Sequence, residues 1–223
     1  MARKPAFLSV NREAIINAAA DVLQQRGYEA TTMKDIANAV NLTAASLYHH
    51  FHNKDSLLLA VLEVGLQSGI ASIEPIACDT TLSASQRLHG MIRTHILSLT
   101  NNPSVGAAMV FEIRALMQVK ESFIAKNAKD TAAQQEFIER RNHFFNRRDY
   151  FEGLFSEVMK DGIATQEFRP VDVGIFVKMI LGSQNWVGVW YRPQGRLSGE
   201  QIADFIAENL VASLRQIPSE SSS

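Results

Sequence analysis

A chain of 223 residues, 46% hydrophobic and 20% charged, can bury a sizeable core, which excludes an isolated peptide motif and an extensively disordered chain. Its one cysteine, Cys78, excludes an internal disulfide, and without a run of about 18 apolar residues or a cleavable leader, a cytoplasmic protein with no membrane segment is expected. The net charge of -1 is unevenly spread: residues 1–54 hold six bases (Arg3, Lys4, Arg12, Arg26, Lys34, Lys54) and four acids (Glu13, Asp21, Glu29, Asp35), so a head of +2 sits on a body of -3.

Helical periodicity runs from end to end and no stretch alternates as a strand does, so the fold class is all-α. The first helix is expected from about Asn11 to Gln25, with Ile15, Ala18, Ala19, Val22 and Leu23 on one face. Gly27 is its expected stop, because glycine tolerates the left-handed backbone that closes a helix. Thr32 then reads as the cap of a short second helix. Asp35, three residues on, can reach back to the cap amide, and Met33, Ile36, Ala37 and Val40 form the buried face. Asn41 stands where a tight turn needs positive φ. A third short helix is expected from about Thr43 to His50, held by Leu42, Leu47, Tyr48 and Phe51. Asn53 caps the next, whose apolar face carries Leu57, Leu58, Val61, Leu62 and Leu66.

After a turn-rich break at Pro75 to Thr81, five longer helices are expected, roughly Leu82 to Thr100, Ser104 to Val119, Ser122 to Asp161, Val171 to Tyr191 and Ser198 to Leu214. The last opens on a second capping box, Ser198 with Gln201. The helix from Val171 contains Gly174, Gly182 and Gly188, and each glycine inside a helix costs about 1 kcal/mol relative to alanine, which points to close packing. With Val177 and Leu181 beside them, and Ile202, Phe205 and Ile206 on the last helix, these residues form a candidate four-helix dimer interface. Periodicity alone equally allows these faces to complete the monomer's own core.

Two short helices joined by a tight turn and packed on a preceding helix have the geometry of a helix-turn-helix, whose second helix enters the major groove of double-stranded DNA. Thr43, Ala44, Ala45 and Ser46 open that second helix. Their short side chains allow close approach, the hydroxyls can bond to bases or phosphates, and an alanine can touch a thymine methyl. In the His49-His50-Phe51-His52 cluster, His49 and His52 are three apart but do not make a metal site, because two imidazoles without a nearby cysteine or carboxylate pair cannot close a tetrahedral shell. The chain also lacks a Gly-x-Ser-x-Gly elbow, a phosphate-cradling glycine loop and a His-Glu-x-x-His motif, so neither enzymatic activity nor a cofactor is expected.

Thr32, Lys34-Asp35-Ile36-Ala37, Val40, Leu47-Tyr48-His49-His50-Phe51 and Asn53-Lys54-Asp55 together resemble the N-terminal pattern of the TetR family of regulators. The resemblance covers some 45 to 55 residues of the chain, and departs from the family at Asn41 and Ala45, where glycine is usual or frequent. It implies a three-helix DNA-binding domain over residues 1–54, a linking helix from about 54 to 74, and a larger helical effector-binding and dimerisation domain over 75–223. It also implies that Thr43, Ala45, Ser46, Tyr48 and His49 contact an operator, that Thr32 and Lys54 clamp phosphates, and that the last two helices pair across a two-fold axis into a homodimer. The middle region would enclose a small apolar effector, for which Met91, His95, Phe111, Met117, Phe145, Tyr150 and Trp186 are the lining candidates.

A second likeness, at Trp186, Trp190-Tyr191-Arg192-Pro193 and Gly195-Arg196-Leu197-Ser198, is to the branch of that family associated with fatty-acid and steroid-ring catabolism. It implies a repressor released by an acyl-CoA, with Arg140, Arg141, Arg147 and Arg148 as candidate phosphate contacts or, alternatively, a solvated face. A ligand-independent architectural DNA-binding protein and an enzyme acting on the apolar ligand are the competing readings.

Overall fold

The computed structural model describes residues 11–104, 106, 113–118 and 131–216. Among these are nine helices and no strand: α1 (Arg12–Ala30), α2 (Met33–Ala39), α3 (Ala44–His50), α4 (Lys54–Ala77), α5 (Ala84–Asn101), α6 (Ile113–Gln118), α7 (Thr131–Ala164), α8 (Val173–Trp190) and α9 (Gly199–Ala212). Most of the helix expected from Ser104 to Val119, and with it Phe111, lies outside the described residues.

Local sequence signals set most of the boundaries. Asn11 caps α1, accepting the Ala14 N–H at 2.8 Å, and Gly27 breaks the helix with a φ of 74° before a last turn to Ala30. The buried stripe of α1 is Ile15, Ile16, Ala19, Ala20 and Leu23. It is rotated slightly from the expected face, so that Ala18 and Val22 lie only half-buried at its edge.

Thr32 and Asp35 form the expected capping box of α2. The helix closes in a Schellman turn, with Asn41 N–H donating to Asn38 O at 3.2 Å and Leu42 N–H to Ala37 O at 2.8 Å. Asn41 holds the left-handed position, φ 55°, that such a turn requires. Asn53 with Ser56, Ser83 with Gln86 and Ser198 with Gln201 make three more boxes, at the starts of α4, α5 and α9.

α4 is the spine. It continues past Pro75 to Ala77, because Ile73 and Ala77 are packed into the core and hold the last turn despite the missing N–H. Its length and apolarity match those of a membrane-crossing helix, yet residues Ser56 to Leu62 are all buried inside the protein. A helix buried on every side needs no polar face.

Around α4, one continuous apolar core runs from Ile15 and Leu47 through Leu58 and Ile70 to Phe155, Val177 and Leu214. α5 lies between α4 and α9, and α7 and α8 complete the body. Cys78, the residue that ends α4, is exposed.

Candidate DNA-binding face and effector cavity

α2 and α3 pack on each other, and α1 supports both α2 and α4. Leu47 is fully buried and Phe51 nearly so, with the Arg12 guanidinium 4.9 Å from the Phe51 ring centroid. With Leu47 turned inward, Ala45, Tyr48 and His49 fall on the outer side of α3 and are exposed, Tyr48 at 49%. Ala44 and Ser46 are half-buried at the flanks.

Thr43 is exposed and acts first as a cap: its Oγ1 accepts the Ser46 N–H at 3.1 Å and lies 2.9 Å from Ser46 Oγ. The pair thus shares one hydrogen bond and presents its remaining hydroxyl capacity outward.

Thr32 and Lys54 are more committed than their sequence context suggests. The Thr32 hydroxyl donates to Asp35 Oδ2 at 2.6 Å and accepts the Asp35 N–H at 3.2 Å, while Arg26 meets Asp35 Oδ1 at 2.9 Å. These hydrogen bonds from Thr32, followed by the charge of Arg26, hold the Asp35 carboxyl below its usual range.

Lys54 Nζ donates to Tyr28 O at 2.8 Å and lies 4.0 Å from the centroid of the Tyr28 ring, whose hydroxyl donates to Asp55. An ammonium has three N–H donors, so two remain for phosphate after the bond to Tyr28. This clasp fixes the start of α4 to the end of α1. Sequence reading missed it, although Tyr28 directly after the Gly27 break was its signal.

In the body, a cavity of about 460 Å³ lies among α4, α5, α6, α7 and α8, with Asn17 of α1 at its edge. Its apolar wall includes Val64, Leu66, Leu99, Ile113, Phe151 and Leu181, and four glycines (Gly65, Gly69, Gly106 and Gly182) leave room in it. Lys178 and Glu152, paired at 2.8 Å, and Arg148 supply charge to the lining. Of the sequence-derived lining candidates among the described residues, His95 alone belongs to it.

Met91 is wholly enclosed in the core instead, and Phe145 packs edge-on against Phe144. Tyr150 is exposed and bonds to Glu74, while Met117 and Trp186 are exposed at 58% each. The arginines of α7 also separate. Arg140 grips Glu63 of α4 at 2.5 Å, Arg147 reaches Gln67 at 2.6 Å, and Arg141 lies 5.8 Å from the Phe145 ring centroid, which leaves Arg148 at the cavity.

His95 is buried, its Nδ1 hydrogen-bonded to Gln184 of α8 and its ring edge-on to Phe151 at 5.1 Å. Burial lowers its pKa, against the smaller opposing effect of the Gln184 bond, so the imidazole is neutral at pH 7.

The proposed interface residues divide as well. Val177, Gly188 and Ile202 are buried within the protomer, packed in its own core, and Leu181 and Ile206 are half-buried. Gly174 and Phe205 are exposed. What α8 turns outward is Ile175, Met179, Gly182, Trp186 and Trp190, a stripe at helical spacing whose four side-chain-bearing members are 46–63% exposed, accompanied by Phe205 of α9 at 66%.

A three-helix head with an outward-facing helix-turn-helix, joined through a buried spine to a helical body with a cavity, defines a one-component regulator that reads DNA. The family model for bacterial regulatory proteins of the tetR family matches residues 15–61, and that for the tetracyclin repressor-like C-terminal domain matches residues 134–214, together more than half of the chain. The chain belongs to the TetR family of DNA-binding transcription regulators.

Among its relatives, the HTH-type transcriptional repressor KstR2 of Mycolicibacterium smegmatis is 29% identical over 200 residues, 89% of this chain and 87% of that one. AibR, solved with isovaleryl coenzyme A and operator DNA, is 28% identical with a TM-score of 0.72, over 89% of this chain and 97% of its own. The ketosteroid regulator KstR2 of Mycobacterium tuberculosis shares the fold, with a TM-score of 0.77 at 22% identity, over 96% of this chain and 100% of its own.

Proposed function

We propose that this protein is a homodimeric cytoplasmic repressor that leaves a near-palindromic operator when an acyl-CoA enters the cavity. The observation that carries this reading is the position of the cavity. Five of its lining residues, Val64 to Gly69 with Gln67 omitted, belong to α4, whose other end is clasped by Tyr28 to α1, the helix against which α2 of the helix-turn-helix packs. A ligand that displaces α4 therefore acts on the head directly, and coupling needs only a difference in affinity between the DNA-competent and released arrangements.

The apolar wall suits an acyl chain, while Arg148 and Lys178 offer cations to its anionic end. KstR2 and AibR support the same reading, the latter through its bound isovaleryl coenzyme A. In this assignment Thr43, Ala44, Ala45, Ser46, Tyr48 and His49 face the major groove, and Lys54 with the Thr32 region flanks it on phosphates. The exposed stripe of α8 and Phe205 form the dimer face. An architectural protein without a ligand has no use for a 460 Å³ cavity, which favours the effector-responsive reading.

The test is to select bound genomic fragments with the purified protein, then titrate the complex with a panel of acyl-CoAs. Release at micromolar concentrations is expected. A footprint without two-fold symmetry refutes the dimer, and an unmoved complex across the panel refutes the effector class.

A further inference from the structure

Beside the charged residues of its lining, the cavity holds a neutral polar arrangement that an apolar chain leaves unused. His95 of α5 lines it, 8% exposed, and is braced from behind by Gln184 of α8, which is wholly buried. The Gln184 Oε1 can only accept, so the hydrogen bond between them places a proton on His95 Nδ1. A neutral imidazole carries one proton. The other ring nitrogen, Nε2, is therefore bare and acts as an acceptor.

Fixing one nitrogen of a histidine through a partner on the other is how a protein selects which role the free nitrogen plays. The arrangement does not serve packing economy: the Gln184 Nε2 is enclosed without a hydrogen-bond partner among the described residues, a destabilising feature that an aliphatic residue at 184 avoids. Phe151, edge-on to the imidazole and itself on the cavity wall, restricts the ring further.

We infer that the effector carries a hydroxyl, or an equivalent hydrogen-bond donor, on the part that enters this cavity, and that His95 held by Gln184 selects it. The inference rests on the cavity being the effector site, but not on the effector being a CoA ester. A saturated, unsubstituted acyl group leaves His95 Nε2 desolvated and unpaired. A keto oxygen at the same place opposes lone pair to lone pair. A hydroxyl completes the pair, and a site built around a hydrogen bond discriminates against the analogue that lacks it.

The experiment uses three small rings of similar size, cyclohexanol, cyclohexanone and methylcyclohexane, titrated into the full-length protein. Binding is measured by isothermal titration calorimetry in wild type and both variants, and also by the side-chain ¹⁵N shifts of His95 where that residue is kept. Wild type is expected to bind cyclohexanol about tenfold more tightly than either of the others, the scale of one hydrogen bond to a buried group, with an upfield change at Nε2 confined to the alcohol. His95→Phe removes the preference.

Gln184→Leu frees the ring to take either tautomer, so the gap between alcohol and ketone closes while the preference for both over methylcyclohexane persists. Equal affinities for the three rings in wild type overturn the inference, as does an alcohol preference that survives in His95→Phe or an alcohol–ketone gap unchanged in Gln184→Leu. Failure of all acyl-CoAs to release DNA, with the ring selectivity intact, refutes the CoA assignment and leaves this one standing.

Discussion

Trp186→Ala is expected to split the dimer while leaving the protomer folded. The side chain is 58% exposed, and among the residues around it the α8 stripe supplies Met179, Gly182 and Trp190 while the core lies on the opposite face. An aromatic side chain covers about 150–250 Å², so the exposed part of this one amounts to roughly 100 Å². At about 25 cal/mol per Å², covering it contributes up to about 2.5 kcal/mol per copy. A two-fold interface counts the residue twice, giving up to about 5 kcal/mol and a dimer dissociation constant raised by up to roughly several thousandfold. Side-chain ordering at the interface offsets part of this, which makes it an upper figure.

Sedimentation equilibrium of wild type and variant measures the constant, and far-UV circular dichroism checks that the helices remain. Operator affinity is expected to fall in parallel, because two linked heads bind two half-sites far better than one. A dimer constant within about threefold of wild type refutes the assignment of this face, since the two-fold burial of an indole cannot contribute so little.

Lys54→Met is expected to weaken binding to all DNA sequences alike and to lower the slope of log affinity against log salt by about one unit, the signature of one lost phosphate contact. A sequence-selective loss contradicts that role. Gly162→Ala drives a Cβ into the Phe168 ring, which folds back over the end of α7, so an overpacking loss of about 1–3 kcal/mol and a melting temperature several degrees lower are expected in a thermal scan. His95 gives a pH signature. Its folded pKa lies below the ordinary 6.5, so below that value the unfolded chain binds a proton that the native chain refuses. Stability is full above 6.5 and declines as pH falls below it, and denaturant titrations of His95→Phe between pH 7.5 and about 5 should lack that component.

The head was legible because its signals are local. Thr32 with Asp35, Asn41 in its turn, and Leu47 and Phe51 facing inward follow from side-chain chemistry within four residues of each position. The cavity was not legible, and the reason is physical. Large apolar residues such as Met91 fill space, whereas space is left by residues that are small, here Gly65, Gly69, Gly106 and Gly182. A search for large apolar residues therefore picks out Met91 of the core and the exposed Met117, and of the described candidates His95 lies on the cavity wall.

The proposed dimer face suffered from a related ambiguity. Both sides of α8 are apolar, so periodicity named Val177 and Gly188, which the protomer itself consumes, beside the exposed Gly174. Pro75 was misread as a break because its cost was weighed without the packing of Ile73 and Ala77 around it. The ion pair between Arg140 and Glu63 joins residues 77 apart in sequence and had no local trace.

The unbroken burial from Ser56 to Leu62 has a practical consequence for anyone building hybrid regulators. A head excised at residue 54 leaves its own base, Ile15, Ala19 and Leu23, without the leucines that cover it, and an orphaned body exposes those same leucines to water. Neither fragment is a natural module. Transplanting this head onto a foreign sensor calls for a junction beyond Leu66, carrying the first three turns of the spine along with the reading helix, and the recipient must accept their side chains as part of its own interior.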